Sequence, residues 1–393
     1  MRARTRALAR TVDLDVFAGP DGMLFVRDGV GLAGRGVAAR VAVEDVAGVL
    51  AAIETTDEVG EPGCGPIAFG ALPFLPGSSV EMIVPEVVVG RGPDGHRWVT
   101  EIDDAEADLT PAPAPRAAAG EFTVRPLTPV AAYLAAVDAA RRAVRAGELD
   151  KVVIARDVIV SSSEPLDEYA IALRLRASFG SSYRYRVDGL IGASPELLVA
   201  RHREICRSHP LAGTAPRRGD PATDTRAANE LLASVKNQLE HRVVIDAVHD
   251  ALLPYCSYLD WEPEPSLLAV ANVVHLATLV EGRFSSPPPN VVDLVRLLSP
   301  TPALGGHPRG AALAMIEQLE HSPRGRYGGA VGWVDAAGNG TWAVTIRCAE
   351  LSADRLSARL FAGGGIVAGS EPYAELEETQ AKLQAMLSAI IRP

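Results

Sequence analysis

The chain has 393 residues, 48% hydrophobic and 22% charged, with a formal net charge of −11. This is an ordinary globular composition with ample core, and its negative balance argues against a nucleic-acid partner. No run reaches the roughly 18 continuous apolar residues that a membrane helix needs.

In chain order, Met1–Arg10 is basic and alanine-rich but lacks an apolar segment, so it does not read as a secretory signal. The four cysteines, Cys64, Cys206, Cys256 and Cys348, are far apart. The expectation is reduced thiols in a cytoplasmic protein. Length alone suggests two or three domains. Residues 1–108 read as short strands broken by Gly, Pro and Asp, with Val87–Gly90 and Arg97–Thr100 flanking a turn. Leu109–Arg116 and the alanines after it form a proline-rich connector. Thr128 is the expected N-cap and Pro129 the first residue of a helix running to about Ala146.

Lys151–Arg156 then reads as a strand, and Tyr183–Val199 as a strand pair. Leu231, Leu232, Val235, Leu239, Val243 and Val248 keep helical spacing, which predicts one amphipathic helix over 223–254. Val331–Val334, Thr341–Cys348 and Arg355–Ala362 read as consecutive antiparallel strands. Asn339-Gly-Thr matches a glycosylation acceptor but reads as a hairpin turn. Runs of strands mixed with runs of helices, without βα alternation, give the α+β class.

The most telling stretch is Phe361-Ala-Gly-Gly-Gly-Ile-Val-Ala-Gly-Ser-Glu-Pro-Tyr-Ala-Glu-Leu-Glu-Glu-Thr-Gln-Ala-Lys382. A glycine turn after a strand opens a helix whose Glu375, Glu378 and Lys382, spaced i, i+3 and i+7, share one face. Two carboxylates there suit a hard cation such as Mg²⁺. Other polar residues sit in apolar or glycine-rich settings: Lys151, Glu196, Thr214, Glu240, His241, His275 and Arg347. Taken singly, each has a plainer reading. Glu240 with Lys236 is a surface pair, Glu375, Glu377 and Glu378 are a solvated face, Lys151 a strand-end lysine, and His275 a core histidine.

Together, in this order, these motifs resemble the chorismate-utilising enzymes, which include isochorismate, salicylate, anthranilate and aminodeoxychorismate synthases. The resemblance runs from about residue 125 to the end. It implies a single chorismate-binding domain over 1–393, built of two large antiparallel sheets flanked by helices, with the site in the cleft between them. Lysine at 151, Pro300–Gly306 and Thr345–Leu351 resemble the water-using isochorismate synthases, so no amidotransferase subunit is expected. Salicylate synthase, with a pyruvate-eliminating step, is the alternative, and a chorismate binder without turnover is a third reading.

The resemblance further implies Lys151 as general base and Glu196 as general acid. It makes Glu240 and Glu378 direct Mg²⁺ ligands, with Glu375 binding through water or completing the shell. Arg347, Lys382 and backbone near Gly364 and Gly365 would take a substrate carboxylate, and Gly213 and Thr214 would line the ring pocket. Ala303, Leu304 and Ile346 would add substrate contacts, with His275 and Tyr327 behind them. Asn237 and Ser299 depart from the family's usual acidic residue and histidine. A monomer is expected. The pathway using the product (siderophore, menaquinone or salicylate-derived) is left open.

Overall fold

The computed structural model describes residues 1–393 except 76, 78, 79, 116–119, 271, 272 and 393, and excepting the side chain of Lys236. Arg116 and the alanines of the expected connector therefore lie outside the described residues. Two large sheets dominate, one 13-stranded and one 9-stranded, beside a small three-stranded sheet. Their pairings are antiparallel except at one edge, where Arg2–Ala7 runs parallel to Glu54–Asp57.

The main core lies between the two large sheets, with Phe25, Phe69, Trp333 and Trp342 among its buried side chains. Helices cover the outer face of the larger sheet. Residues of Glu168–Phe179 and Pro372–Ile391 pack there against Val160, Ile191 and Leu360. Strands buried on both faces read as continuous apolar runs. In Met23–Arg27, Met23 and Phe25 face the inner core, while Leu24 and Val26 face the outer one.

Strands from the first 108 residues lie inside both large sheets. Met23–Arg27 pairs with Tyr183–Val187, and Ile67–Leu72 pairs with Ala330–Asp335. The expected hairpin of Val87–Arg91 with Arg97–Ile102 is present. Asn339 closes its hairpin by bonding the Asp335 carboxylate. The four cysteines are free thiols. Among the described residues, no helix is long and apolar enough to cross a membrane.

Five local expectations are corrected. The first helix past the connector spans Val130–Arg145, capped by Pro129 without a side-chain bond. Thr128 cannot cap it because its hydroxyl donates to Asp157 Oδ1 at 2.5 Å. The helix expected over 223–254 is two, Pro221–Ala233 and Val235–Leu252. Ser234 breaks it, leaving helical geometry at ψ 106° and accepting from Asn237 N–H at 3.3 Å as the second helix's N-cap.

Tyr183–Val199 is a hairpin, Tyr183–Val187 with Leu190–Ser194, followed by a strand, Leu197–His202, that belongs to the other large sheet. Thr341–Cys348 is likewise divided into Gly340–Val344 and Cys348–Leu351, one in each sheet. Finally, Gly363–Gly365 are not a turn. They lie in the strand Ser357–Ile366, paired with Val153–Ala155.

Close backbone packing within the 9-stranded sheet sets a testable limit. A Cβ on Gly332 would meet Thr341 O at 2.2 Å, whereas one on Gly48 meets nothing within 4 Å. Gly332→Ala should cost about 1–3 kcal/mol. Gly48→Ala, in the helix Val46–Ala51, should gain up to about 1 kcal/mol. Denaturant midpoints of the two variants check the contrast.

Candidate active site

The two breaks just described are one feature. Leu190–Ser194 pairs with Cys348–Leu351 in the larger sheet, and Leu197–His202 pairs with Gly340–Val344 in the smaller. The same two antiparallel segments thus pass together from one sheet to the other. Val344 N–H donates to Glu196 O, and Ala193 N–H donates to Arg347 O, both at 3.1 Å. Glu196 and Arg347 therefore sit side by side in the crossing. Arg347 holds φ at +52°, an uncommon conformation for a residue with a side chain.

Their side chains open into a cavity of about 220 Å³. Lys151, at the start of the strand Lys151–Ser162, forms part of its wall, with Gly213, Thr214, Glu240, His275, Ala303, Leu304, Tyr327 and Ile346. Glu375, Glu378 and Lys382 complete it from the helix Pro372–Ile391. The expected site residues are thus brought together from across the sequence, with one exception. Gly364 is not on the wall; a Cβ there would meet Glu375 Oε2 at 2.5 Å.

Alternation along the strand turns Gly363 and Gly365 to the cavity instead. A Cβ on Gly365 would stand 2.9 Å from Lys151 Cε, so glycine is what leaves room for that lysine. Val153, two residues from Lys151, is a wall residue that strand period alone would have revealed. Leu211 and Ala212, beside the bulge at Gly213, carried no such signal. Asn237 reaches the wall, but Ser299 does not; its carbonyl accepts from Arg309 at 2.5 Å.

Electrostatics separate two of the cavity's carboxylates, Glu196 and Glu378. Burial pushes Glu196 up from 4.5 to about 8, against the weaker pull of Leu211 N–H, Lys151 and Arg347. Burial acts on Glu378 too, but Lys382, bonded to it at 2.5 Å, outweighs it, helped by Arg347 and Lys151. Glu378 is held below the usual range. One cavity therefore holds a protonated and an ionised carboxyl near neutral pH.

Burial, then Arg347 and Lys382, push His275 down to about 3. Its Nδ1 lies 3.2 Å from Gly213 O, which can only accept, and its Nε2 lies 3.5 Å from Arg347 Nη2, which can only donate. His275 is thus the neutral Nδ1–H tautomer. Arg347 itself is buried and makes no ion pair among the described residues, so its guanidinium suits an incoming anion.

Glu240, Glu375 and Glu378 offer oxygen donors alone, which fits a hard cation. Glu240 is bonded by Lys151 Nζ at 2.6 Å, and Glu378 by Lys382. As they stand, no three His, Cys, Asp or Glu among the described residues converge closely enough to hold a metal. Glu240 turns inward to pair with Lys151; its plainer reading, a surface pair with Lys236, rests on a side chain outside the described residues.

The family described as chorismate binding enzyme matches residues 78–391. The chain belongs to the chorismate-binding enzymes. Among this enzyme's relatives, isochorismate synthase DhbC of Bacillus subtilis is 37% identical over 336 residues, covering 83% of this chain and 81% of that one. Isochorismate synthase MenF of the same organism is 34% identical over 358 residues, covering 83% and 75%. The crystal structure of DhbC from Bacillus anthracis matches with a TM-score of 0.80 and 34% identity, over 94% of this chain and 96% of the other.

The Glu196 shift has a sign that stability measurements can read. Its folded value lies above 4.5, so the associated stability is full below about pH 4.5 and is lost as pH rises through about 8. Glu196→Gln should remove that loss. Melting temperature should fall less between pH 6 and pH 9 in the variant than in the parent; an equal fall would mean that Glu196 ionises normally.

Proposed function

We propose that this chorismate-binding enzyme is an isochorismate synthase. The reaction adds water at C2 of chorismate, shifts the ring double bonds and breaks the C4–O bond. Water must lose a proton and the departing hydroxyl must gain one. The observation that carries the reading is Glu196: a buried carboxyl that keeps its proton near neutrality, in one cavity with Lys151 and Arg347. Glu196 is the proton donor to the C4 oxygen. Lys151, buried at the strand end, is the base for water; since it is bonded to Glu240 in this structure, serving as base requires that pair to part. Each role is worth about 10²–10⁴ in rate.

Arg347 receives a substrate carboxylate, held in place by the fixed His275 tautomer. Lys382, anchored to Gly363 O at 2.9 Å, places a second positive charge at that end of the cavity. Glu240 and Glu378 would hold Mg²⁺ directly, with Glu375 through water; when bound, the ion offsets the negative charge of the ring carboxylate. Gly213, Thr214, Ala303, Leu304 and Ile346 shape the ring pocket, with Tyr327 stacked on Phe361 at 5.2 Å beside them. Water as nucleophile calls for no ammonia-supplying subunit. The reading carries with it a monomeric cytoplasmic enzyme whose product feeds a siderophore, menaquinone or salicylate-derived route.

Purified protein with chorismate and Mg²⁺ should give isochorismate in equilibrium with chorismate, and no pyruvate, by chromatography over time. Pyruvate and salicylate in equal amounts would make it a salicylate synthase instead. EDTA should abolish turnover and added Mg²⁺ restore it. Lys151→Ala and Glu196→Gln should each lower kcat by about 10²–10⁴ while keeping a native circular dichroism spectrum. Near-normal turnover in either would refute the assigned role.

A further inference from the structure

Outside the reaction cavity lies a second hollow of about 440 Å³, and the two share Thr214 and Asn237 in their walls. We propose that this hollow is the entrance to the site and a capture point for a dicarboxylate, with Arg218 and Arg226 as its cations. The proposal rests on the reading of the substrate as the chorismate dianion.

The hollow is formed by the end of the strand Leu211–Pro216 and by the two helices that meet at Ser234. Ala227 and Leu231 give it an apolar floor. Arg218 follows the strand and Arg226 stands on the first helix, and both are exposed. Neither makes an ion pair among the described residues. This sets them apart from nearby arginines: Arg217 pairs with Asp224 at 3.8 Å, and Arg242 with Asp246 at 2.7 Å.

The carboxylate on the same wall is Glu230, one against two guanidiniums. Asp224 is not among the lining residues; its carboxylate is taken up by the Arg218 and Gly219 backbone N–H groups at 2.7 and 3.2 Å and by the Arg217 side chain. The threshold carries no charge, since Asn237 and Thr214 are neutral. In a chain of net charge −11, the lining of this hollow carries two arginines against one glutamate, and its shared residues Thr214 and Asn237 also border the cavity that holds Arg347.

Neither arginine lines the reaction cavity, so neither touches the reacting atoms. Their effect is to concentrate a doubly negative ligand at the mouth. Such steering raises association rates by roughly 10–10³ and collapses with salt, because the screening length contracts from about 30 Å at 0.01 M to about 10 Å at 0.1 M. Solvated surface arginines without this role would leave association unchanged.

The test is stopped-flow association of chorismate with the full chain across that salt range, with turnover measured in parallel. Arg218→Ala/Arg226→Ala should slow association by about three- to tenfold at low salt and flatten the salt dependence. Its kcat should stay within about twofold, so the loss appears in KM. Arg218→Lys/Arg226→Lys should retain the parent rate, because steering needs the charge and not the planar fork. A double alanine variant with the parent's rate and salt slope overturns the proposal, as does a loss that persists at high salt. Absence of isochorismate formation by the parent would overturn the assigned reaction instead, while the association rates still report on the capture point.

Discussion

The site depends on the two-stranded ribbon that passes from one large sheet to the other. Residues 193–197 and 344–348 cross together and are tied by two backbone hydrogen bonds. A crossing is where side chains from a sheet interior come free of their neighbours while their backbone stays fixed. Glu196 and Arg347 gain a rigid frame and an opening onto one cavity at the same point. The left-handed backbone of Arg347 is part of this arrangement. Strain of this kind persists where the surrounding structure over-determines it, and paired strands on either side of the crossing do so here.

Around that frame the charges are balanced pair by pair. Lys151 lies against Glu240, and Lys382 against Glu378. Glu196 and Arg347 are left without an ion-pair partner among the described residues, one kept neutral by burial and the other a buried cation. An acid and an anion receptor therefore face the same space. The difference between Glu196 and Glu378 is one of contact: a lysine ammonium bonds the second and stands off from the first.

Much of the site was legible in the sequence because its residues are conspicuous locally. Glu375, Glu378 and Lys382 share a helix face, as their spacing required, and Lys151, Glu196 and Arg347 stand out as polar residues within apolar runs. What could not be read was determined by distant partners. Glycine triplets favour turns in isolation, yet Gly363–Gly365 are strand because they pair with Val153–Ala155; at Gly364 and Gly365 a side chain would run into Glu375 and Lys151. Apolar periodicity ran through Ser234, but Val235 and Leu239 beyond it are 69% and 65% exposed. The second helix buries Val244, Ile245, Val248 and Leu252 instead, a face set by its own cap and its own packing. The strand division at Glu196 had a local marker in Pro195, which cannot continue a central strand, whereas the one at Arg347 had none, since Ile346 and Cys348 flank it.

The order of pairing has a consequence for synthesis. Lys151–Ser162 finds its long partner in Ser357–Ile366, and Met23–Arg27 waits for Tyr183–Val187. Until residues 357–366 have left the ribosome, a 12-residue strand with an apolar start presents an open edge, the usual template for wrong association. Such long-range topology folds slowly. A nascent chain of this kind is therefore a natural client for chaperones, and its yield in a cell will be governed by how well that edge is shielded before its closing strand arrives.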